Sequence, residues 1–194
     1  MKLKKSLVII DLETTGLDVI NDRIIEISMI KIDINNKETN KTIRINPEIP
    51  ISRESSLIHG LYYDDIKNCP SFKKTSKEIF EFINKYDIGG FNVLKFDLPM
   101  LIEEFLRCGI HLSIENINII DAQRIYHLME KRNLSSAYKF YCNKELKNAH
   151  NSYYDTLATY EVIKSQIKKY NGKEVVDNKG KVLGKISNNI DSIG

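Results

Sequence analysis

The apolar run Leu7-Val8-Ile9-Ile10 stops abruptly at Asp11-Leu12-Glu13, and that junction constrains the fold more than any other stretch of the chain. Four consecutive apolar residues read as a strand buried on both faces. The two carboxylates that follow are spaced i, i+2, so in an extended chain they point to the same side of the sheet. Two like charges at the end of a buried strand are costly unless a cation neutralises them. Oxygen-only donors of this charge suit magnesium or manganese. Thr14-Thr15-Gly16 follows as a turn signal, so the pair opens toward a surface that a substrate can reach.

The rest of the chain places this strand in a sheet. Ile30, Ile32 and Ile34 alternate with Lys31 and Asp33, the pattern of a half-exposed strand. Asn35-Asn36-Lys37 is a turn signal, and Thr42-Ile43-Arg44-Ile45 reads as the returning strand, so three antiparallel strands begin the domain. Pro47, Pro50 and Pro70 bracket a long connection with no regular period. The pattern then predicts a helix over 76–84 and a short strand over 87–91. Leu98, Leu101, Ile102 and Phe105 form the stripe of an amphipathic helix, stopped by Gly109. A strand is predicted over 117–120, helical segments to about Tyr141, and a final helix over 152–170. Antiparallel strands followed by βα units predict an α/β protein with a mixed five-stranded sheet flanked by helices. Residues 1–172 read as one domain. Residues 173–194 read as a basic C-terminal tail, with a small hairpin signalled around Asp177-Asn178-Lys179-Gly180.

Composition narrows the function classes. An apolar share of 42% supports a real core, and 28% charged residues make the chain soluble. No apolar run approaches the ~20 residues that span a membrane. Met1-Lys2-Leu3-Lys4-Lys5 and the run after it mimic a secretory leader, but Asp11 cuts the apolar stretch short, so the expectation is the first strand of a cytoplasmic protein. Cys69, Cys108 and Cys142 have no metal-like spacing and read as structural thiols. Net charge is only +3, yet seven lysines fall between Lys164 and Lys185 against Glu174 and Asp177. That run reads equally well as a phosphate-attracting flank or as a solvated face.

Three further positions carry chemistry only in combination. Asp97, before Leu98-Pro99, reads alone as the cap of a helix. Asp155, three residues after Ser152, reads alone as half of a capping box. His150 reads alone as a loop histidine. A carboxylate in a first helical turn has a fixed direction, however, and can cap and ligate at once. If the last helix begins near Ser152, His150 sits in the loop above its N-terminus, near Asp155.

At this point the chain resembles the DEDD exonucleases of histidine type, the 3′–5′ exonucleases similar to the proofreading epsilon subunit of bacterial replicative DNA polymerase. The resemblance rests on Asp11-x-Glu13, on Asp97 after Gly90-Phe91-Asn92, and on His150-x4-Asp155. It extends to Leu57-Ile58-His59-Gly60-Leu61, Pro70-Ser71-Phe72 and Ile119-Ile120-Asp121, and covers roughly residues 6–170. It implies an RNase H-like fold and two divalent ions, Mg2+ or Mn2+, held by Asp11, Glu13, Asp97 and Asp155. Glu13 and His150 are the implied catalytic residues, His150 as general base. Thr14, Thr15 and Leu17 are implied to meet the terminal nucleotide, and Asn92 and Phe96 to line the strand's path. Asn151-Ser152-Tyr153-Tyr154 departs from the small residues usual in the family before the last aspartate.

The implied chemistry is physically coherent. A phosphodiester is anionic and repels hydroxide, and paired divalent ions both activate water and neutralise the charge that builds on the phosphate. Histidine is the side chain suited to accept a proton near neutral pH. The expected function is a metal-dependent 3′–5′ exonuclease that removes nucleoside 5′-monophosphates from single-stranded or frayed 3′ ends, of DNA first, in proofreading or repair. The alternatives are an exoribonuclease that processes RNA 3′ ends, and a non-catalytic nucleic-acid-binding domain on the same fold. A DNA polymerase is the expected partner for proofreading; no membrane is expected, and oligomeric state is unreadable. His59, His111 and His127 show no partner in the sequence, and only His59, beside Gly60, keeps an open role at the site.

Overall fold

The computed structural model describes residues 1–176 and 182–185. Its first elements are β1 (Leu7–Thr14), β2 (Ile24–Ile32) and β3 (Glu38–Arg44). Three helices follow, α1 (Arg53–His59), α2 (Tyr63–Ile66) and α3 (Phe72–Ile83). Then come β4 (Asp87–Gly90), α4 (Asp97–Arg107), β5 (Ile119–Asp121) and α5 (Ala122–Met129). The chain continues through α6 (Leu134–Cys142), α7 (Ser152–Tyr170), β6 (Glu174–Val176) and β7 (Val182–Lys185). It divides into two compact units, Met1–Leu128 and Met129–Gly194. The expected boundary at 172 falls inside the second of these.

In the first unit, five strands form one sheet in the order β3-β2-β1-β4-β5. β1 pairs antiparallel with β2 and parallel with β4, while β2–β3 is antiparallel and β4–β5 parallel. This is the mixed sheet predicted from the order of elements. β1 corrects one detail. It is buried on both faces only at Leu7 and Val8, and from there it alternates. Val8, Ile10, Leu12 and Thr14 face the core, while Ile9 and Asp11 are exposed and Glu13 is half-buried. The alternation puts Asp11 and Glu13 on one side of the sheet, as the i, i+2 spacing requires.

The core covers the opposite face. Val8, Ile10, Leu12, Ile27, Met29 and Ile88 meet Phe72, Ile79 and Ile83 of α3 and Leu98, Leu101 and Phe105 of α4. The Phe72 and Phe105 rings meet edge to face at 5.3 Å. Ile25, Leu61 and Ile66 form a smaller cluster of their own.

The connection between Pro47 and Pro70 corrects the expectation of an irregular loop, because α1 and α2 lie within it. Ser52 caps α1 by accepting from the Ser55 N–H at 3.0 Å. Helices of seven and four residues are too short to display a period, so the pattern did not betray them. α3 begins at Phe72, four residues before its predicted start, because Phe72 and Thr75 are buried with the rest of its apolar face.

In the second unit, α6 and α7 pack around Tyr138, Ala158 and Val162. β6 and β7 pair antiparallel, and the turn signal of the expected hairpin, at 177–180, lies outside the described residues. No helix among the described residues is long and apolar enough to cross a membrane.

Candidate active site

The end of β1 is held from three sides within the first unit. β4 pairs with β1 only from Leu7 to Ile9, so the edge of β1 beyond that point lacks a strand partner on this side. Asp97, the first residue of α4, fills the gap, its Oδ1 accepting from the Leu12 N–H at 3.1 Å. Its carboxyl therefore lies against the backbone between Asp11 and Glu13. The close approach depends on Gly90, where a Cβ would come within 2.9 Å of the Ile10 carbonyl oxygen.

Asp97 is 4% exposed. Burial pushes its carboxyl up to about 6, and the charge of Asp11 adds to the rise, against the backbone donors that favour the anion. Glu13 is raised too: burial is the main cause, the neighbouring Asp11 and Glu26 add to it, and His59 opposes it. Glu26 lies directly across from Glu13 in the β1–β2 register, and Arg44 ties Glu26 at 2.9 Å. Burial and mutual repulsion thus hold both carboxyls toward their neutral forms.

Asp121, at the end of β5, builds the loop that delivers Asp97. Its Oδ1 accepts from the N–H groups of Asn92, Gln123 and Arg124, and its Oδ2 accepts from that of Leu94. Burial opposes its charge, but these donors hold it below the ordinary aspartate range. Asn92, at φ 65°, is thereby fixed in the left-handed region. It lines a cavity of about 470 Å³ together with Lys95, Arg124 and His127. Phe96 turns the other way and packs against the main core.

The turn after β1 spends most of its own polar groups. Thr15 is buried; its hydroxyl donates to Asp22 Oδ1 at 2.7 Å and accepts from the Arg23 N–H at 3.0 Å. The other Asp22 oxygen accepts from the Asp18 N–H. A Cβ at Gly16 would fall on the Asp22 carboxyl, so a side chain there would push Asp22 away from its bonds to Thr15 and Asp18. The Thr14 hydroxyl donates to the Gly16 carbonyl at 2.6 Å. Both threonine hydroxyls thus shape the turn, and what the turn offers outward is Leu17, 82% exposed.

His59 joins this group, although the sequence alone leaves its role open. It is the last residue of α1, its Nδ1 accepts from the Leu61 N–H at 3.0 Å, and its Nε2 is buried without a hydrogen-bond partner. The ring acts electrostatically on Glu13. The one signal available beforehand was the His59-Gly60 pair, since Gly60 caps α1 at φ 73° and thereby fixes the histidine before it.

His150 and Asp155 belong to the second unit. Asn151 caps α7, accepting from the Tyr153 N–H at 3.1 Å, so Ser152 is not the cap and the predicted Ser152–Asp155 capping box does not form. Asp155 Oδ2 instead accepts from the His150 N–H at 3.2 Å. Asp155 Oδ1 is shut off from solvent and has no hydrogen-bond partner. His150 itself is exposed, at φ 71°. Tyr153 and Tyr154 are both exposed, with their rings edge to face at 5.4 Å.

The structure thus gathers Asp11, Glu13 and Asp97 in the first unit, and His150 and Asp155 in the second. No group of three or more His, Cys, Asp or Glu side chains among the described residues forms a ready-made cation cage. The donors nonetheless fit a hard divalent ion. They are all oxygens, Asp97 and Glu13 are raised toward protonation, and Asp155 keeps an orphaned buried oxygen.

Comparison with known proteins agrees with this geometry. A family model described as exonuclease (RNase T) matches residues 8–163. The DNA polymerase III subunit epsilon of Buchnera aphidicola is 30% identical over 159 residues, 77% of this chain and 67% of that protein. The PolC-type DNA polymerase III of Caldanaerobacter subterraneus is 28% identical over 173 residues, which is 86% of this chain but only 12% of the relative. Among solved structures, the product-bound form of exonuclease I superposes with a TM-score of 0.59 at 16% identity, over 86% of this chain and 44% of that one. Exonuclease I of E. coli in complex with a dT13 oligonucleotide gives 0.59 at 16% identity, over 86% of this chain and 43% of the other. The structural likeness establishes an RNase H-like fold.

Proposed function

This chain belongs to the exonuclease family, and from that premise we propose that it is a metal-dependent 3′–5′ exonuclease that releases nucleoside 5′-monophosphates from single-stranded or frayed 3′ ends of DNA. The observation that carries the reading is Asp97, buried against the backbone between Asp11 and Glu13 with its carboxyl raised to about 6. A binding module for nucleic acid gains nothing from clustered negative charge that repels its ligand. DNA is favoured over RNA because the epsilon and PolC-type relatives are named as DNA polymerase III proteins.

Asp11, Glu13, Asp97 and Asp155 would hold two Mg2+ or Mn2+ ions. When bound, these supply an activated water and charge neutralisation at the phosphate. His150 accepts the proton of the attacking water at its imidazole, and its exposed loop gives that proton a route to solvent. The bond between the His150 N–H and Asp155 keeps base and ligand in step. Leu17 wedges against the terminal base, and the hydroxyls of Thr14 and Thr15 keep the turn beneath it in shape. Asn92 borders the strand's path, while Phe96, packed against the main core, supports the loop from behind. The reading also includes a polymerase as partner, because the epsilon relative is named as a subunit of one, and a place in the cytoplasm, where a bacterial polymerase works.

The test uses 5′-labelled single-stranded DNA and RNA of matched sequence, with Mg2+ or Mn2+ and an Asp11→Ala control. A ladder that shortens from the 3′ end, faster on DNA and absent in the control, is the expected result. Intact substrate, or equal activity in the control, would overturn the proposal.

A further inference from the structure

The cavity of about 470 Å³ beside Asn92 has two walls, both in the first unit. One is the loop that leads to Asp97, which contributes Asn92, Leu94 and Lys95. The other is α5, which contributes Arg124, His127 and Leu128. These three recur at spacings of three and four, so they share one face of the helix. Asp121 also lines the cavity, and it fixes the two walls to each other. Its carboxylate accepts from the N–H groups of Asn92 and Leu94 on one side and of Gln123 and Arg124 on the other.

Lys95 and Arg124 enter no ion pair among the described residues. The only carboxylate among the described residues of the lining, Asp121, is already taken up by those four backbone donors. The side-chain cations are therefore left for an external anion. Leu94, Leu128 and the His127 ring give the same cavity apolar and flat surface. Its volume falls in the range of small-ligand sites, roughly 300–1,000 Å³. An acidic peptide or a bare inorganic anion would use the cations and leave the apolar lining wet. A nucleotide uses both, with phosphate on cations and base against a ring or an apolar wall. Lys95 is two residues before Asp97, so their backbones lie within about 7 Å of each other, and one strand can reach both.

We propose that this cavity is a subsite for an internal nucleotide of a single strand, upstream of the one removed, with its two flanking phosphates on Lys95 and Arg124 and its base against His127, Leu94 and Leu128. The inference rests on the nuclease reading above and deepens it, because it makes these residues determinants of strand affinity rather than of the chemistry. The experiment measures binding of a 5′-labelled single-stranded DNA across a salt series without divalent metal, where nothing is cut. It then measures kcat and KM on the same strand with Mg2+. The Lys95→Gln/Arg124→Gln variant should weaken binding about tenfold and reduce the salt slope by about 1.4, the loss of two phosphate contacts on a single strand. Its KM should rise about tenfold with kcat within about twofold of the wild type, the mark of lost uniform binding. Lys95→Arg/Arg124→Lys, which keeps both charges, should restore the slope. His127→Ala/Leu128→Ala should weaken binding about fivefold through the lost base contact. Wild-type binding and slope in the Gln variant would overturn the subsite, as would an equal loss in the charge-keeping variant, which would trace the effect to the loop. Unchanged binding in His127→Ala/Leu128→Ala would overturn the seating of the base. Polyglutamate that needs the two cations, where DNA does not, would assign the cavity to an acidic protein segment instead. If the wild type cuts no DNA yet the variants show these binding differences, the nuclease reading fails and the subsite stands.

Discussion

The two compact units hold their chemical groups in opposite ways. In the first, Asp97 is buried at the start of α4 and bonded to the Leu12 N–H, and its approach loop is pinned by two backbone N–H groups, of Asn92 and Leu94, on Asp121. In the second, His150 is exposed and Asp155 is tied to it through one backbone hydrogen bond. The contrast teaches a division of labour. On the proposed reading, the negative charge that would bind cations is built on a sheet, where burial and neighbouring charge raise its energy. On the same reading, the group that would exchange a proton with solvent is carried on a loop. Substitutions in the two units should therefore fail differently.

The largest effect is expected at Asp11. Because it is exposed on the sheet's open face, Asp11→Ala should leave the fold intact by circular dichroism, yet lower turnover by about ten-thousandfold. Retained activity would remove the first unit from the chemistry. His150→Ala should reduce turnover by roughly a hundred- to a thousandfold, with metal affinity little changed, since it removes only the proton acceptor. A matching loss of metal affinity would erase the contrast between the units.

Asp97 sharpens the comparison through pH. Its carboxyl sits near about 6 in the folded protein, against 3.8 ordinarily. The folded state therefore binds the proton more tightly than the unfolded one. The stability this confers is complete below about pH 4 and is lost as pH rises through about 6, a change of roughly 3 kcal/mol. Urea unfolding of the metal-free protein should show this fall. Asp97→Asn should abolish it, leaving the metal-free variant about 2–3 kcal/mol more stable than the wild type at neutral pH while inactive. A flat wild-type profile would mean that Asp97 is not destabilised by its burial.

Leu17→Ala should have the smallest effect, a few-fold rise in KM with kcat unchanged, because on the proposed reading this exposed side chain acts only by meeting the substrate.

Much of this arrangement was legible in the sequence. β1 announced itself because its apolar run breaks at two carboxylates, and the order of elements sufficed for a mixed sheet. What escaped notice depends on contacts that no local pattern encodes. The bond from Thr15 to Asp22 spans seven residues of irregular turn, and it shows that a threonine implied to meet substrate has its hydroxyl occupied. Asp121 had the look of a strand end, and only the fold reveals that it organises residues 92–94 ahead of Asp97. His59 lacked a partner in one dimension and gains Glu13 as a neighbour in three. α1 and α2 are shorter than the window in which helical periodicity can be seen.

Mn2+ binding followed by electron paramagnetic resonance tests whether Asp97 and Asp155 each take part in the proposed cation-dependent chemistry. Wild type, Asp97→Asn and Asp155→Asn would be titrated under one set of conditions. Two ions should bind the wild type, with binding weakened at least tenfold in each variant although the substitutions lie in different units. A wild type that binds no Mn2+, or an Asp155→Asn variant that binds it like the wild type, would contradict that reading.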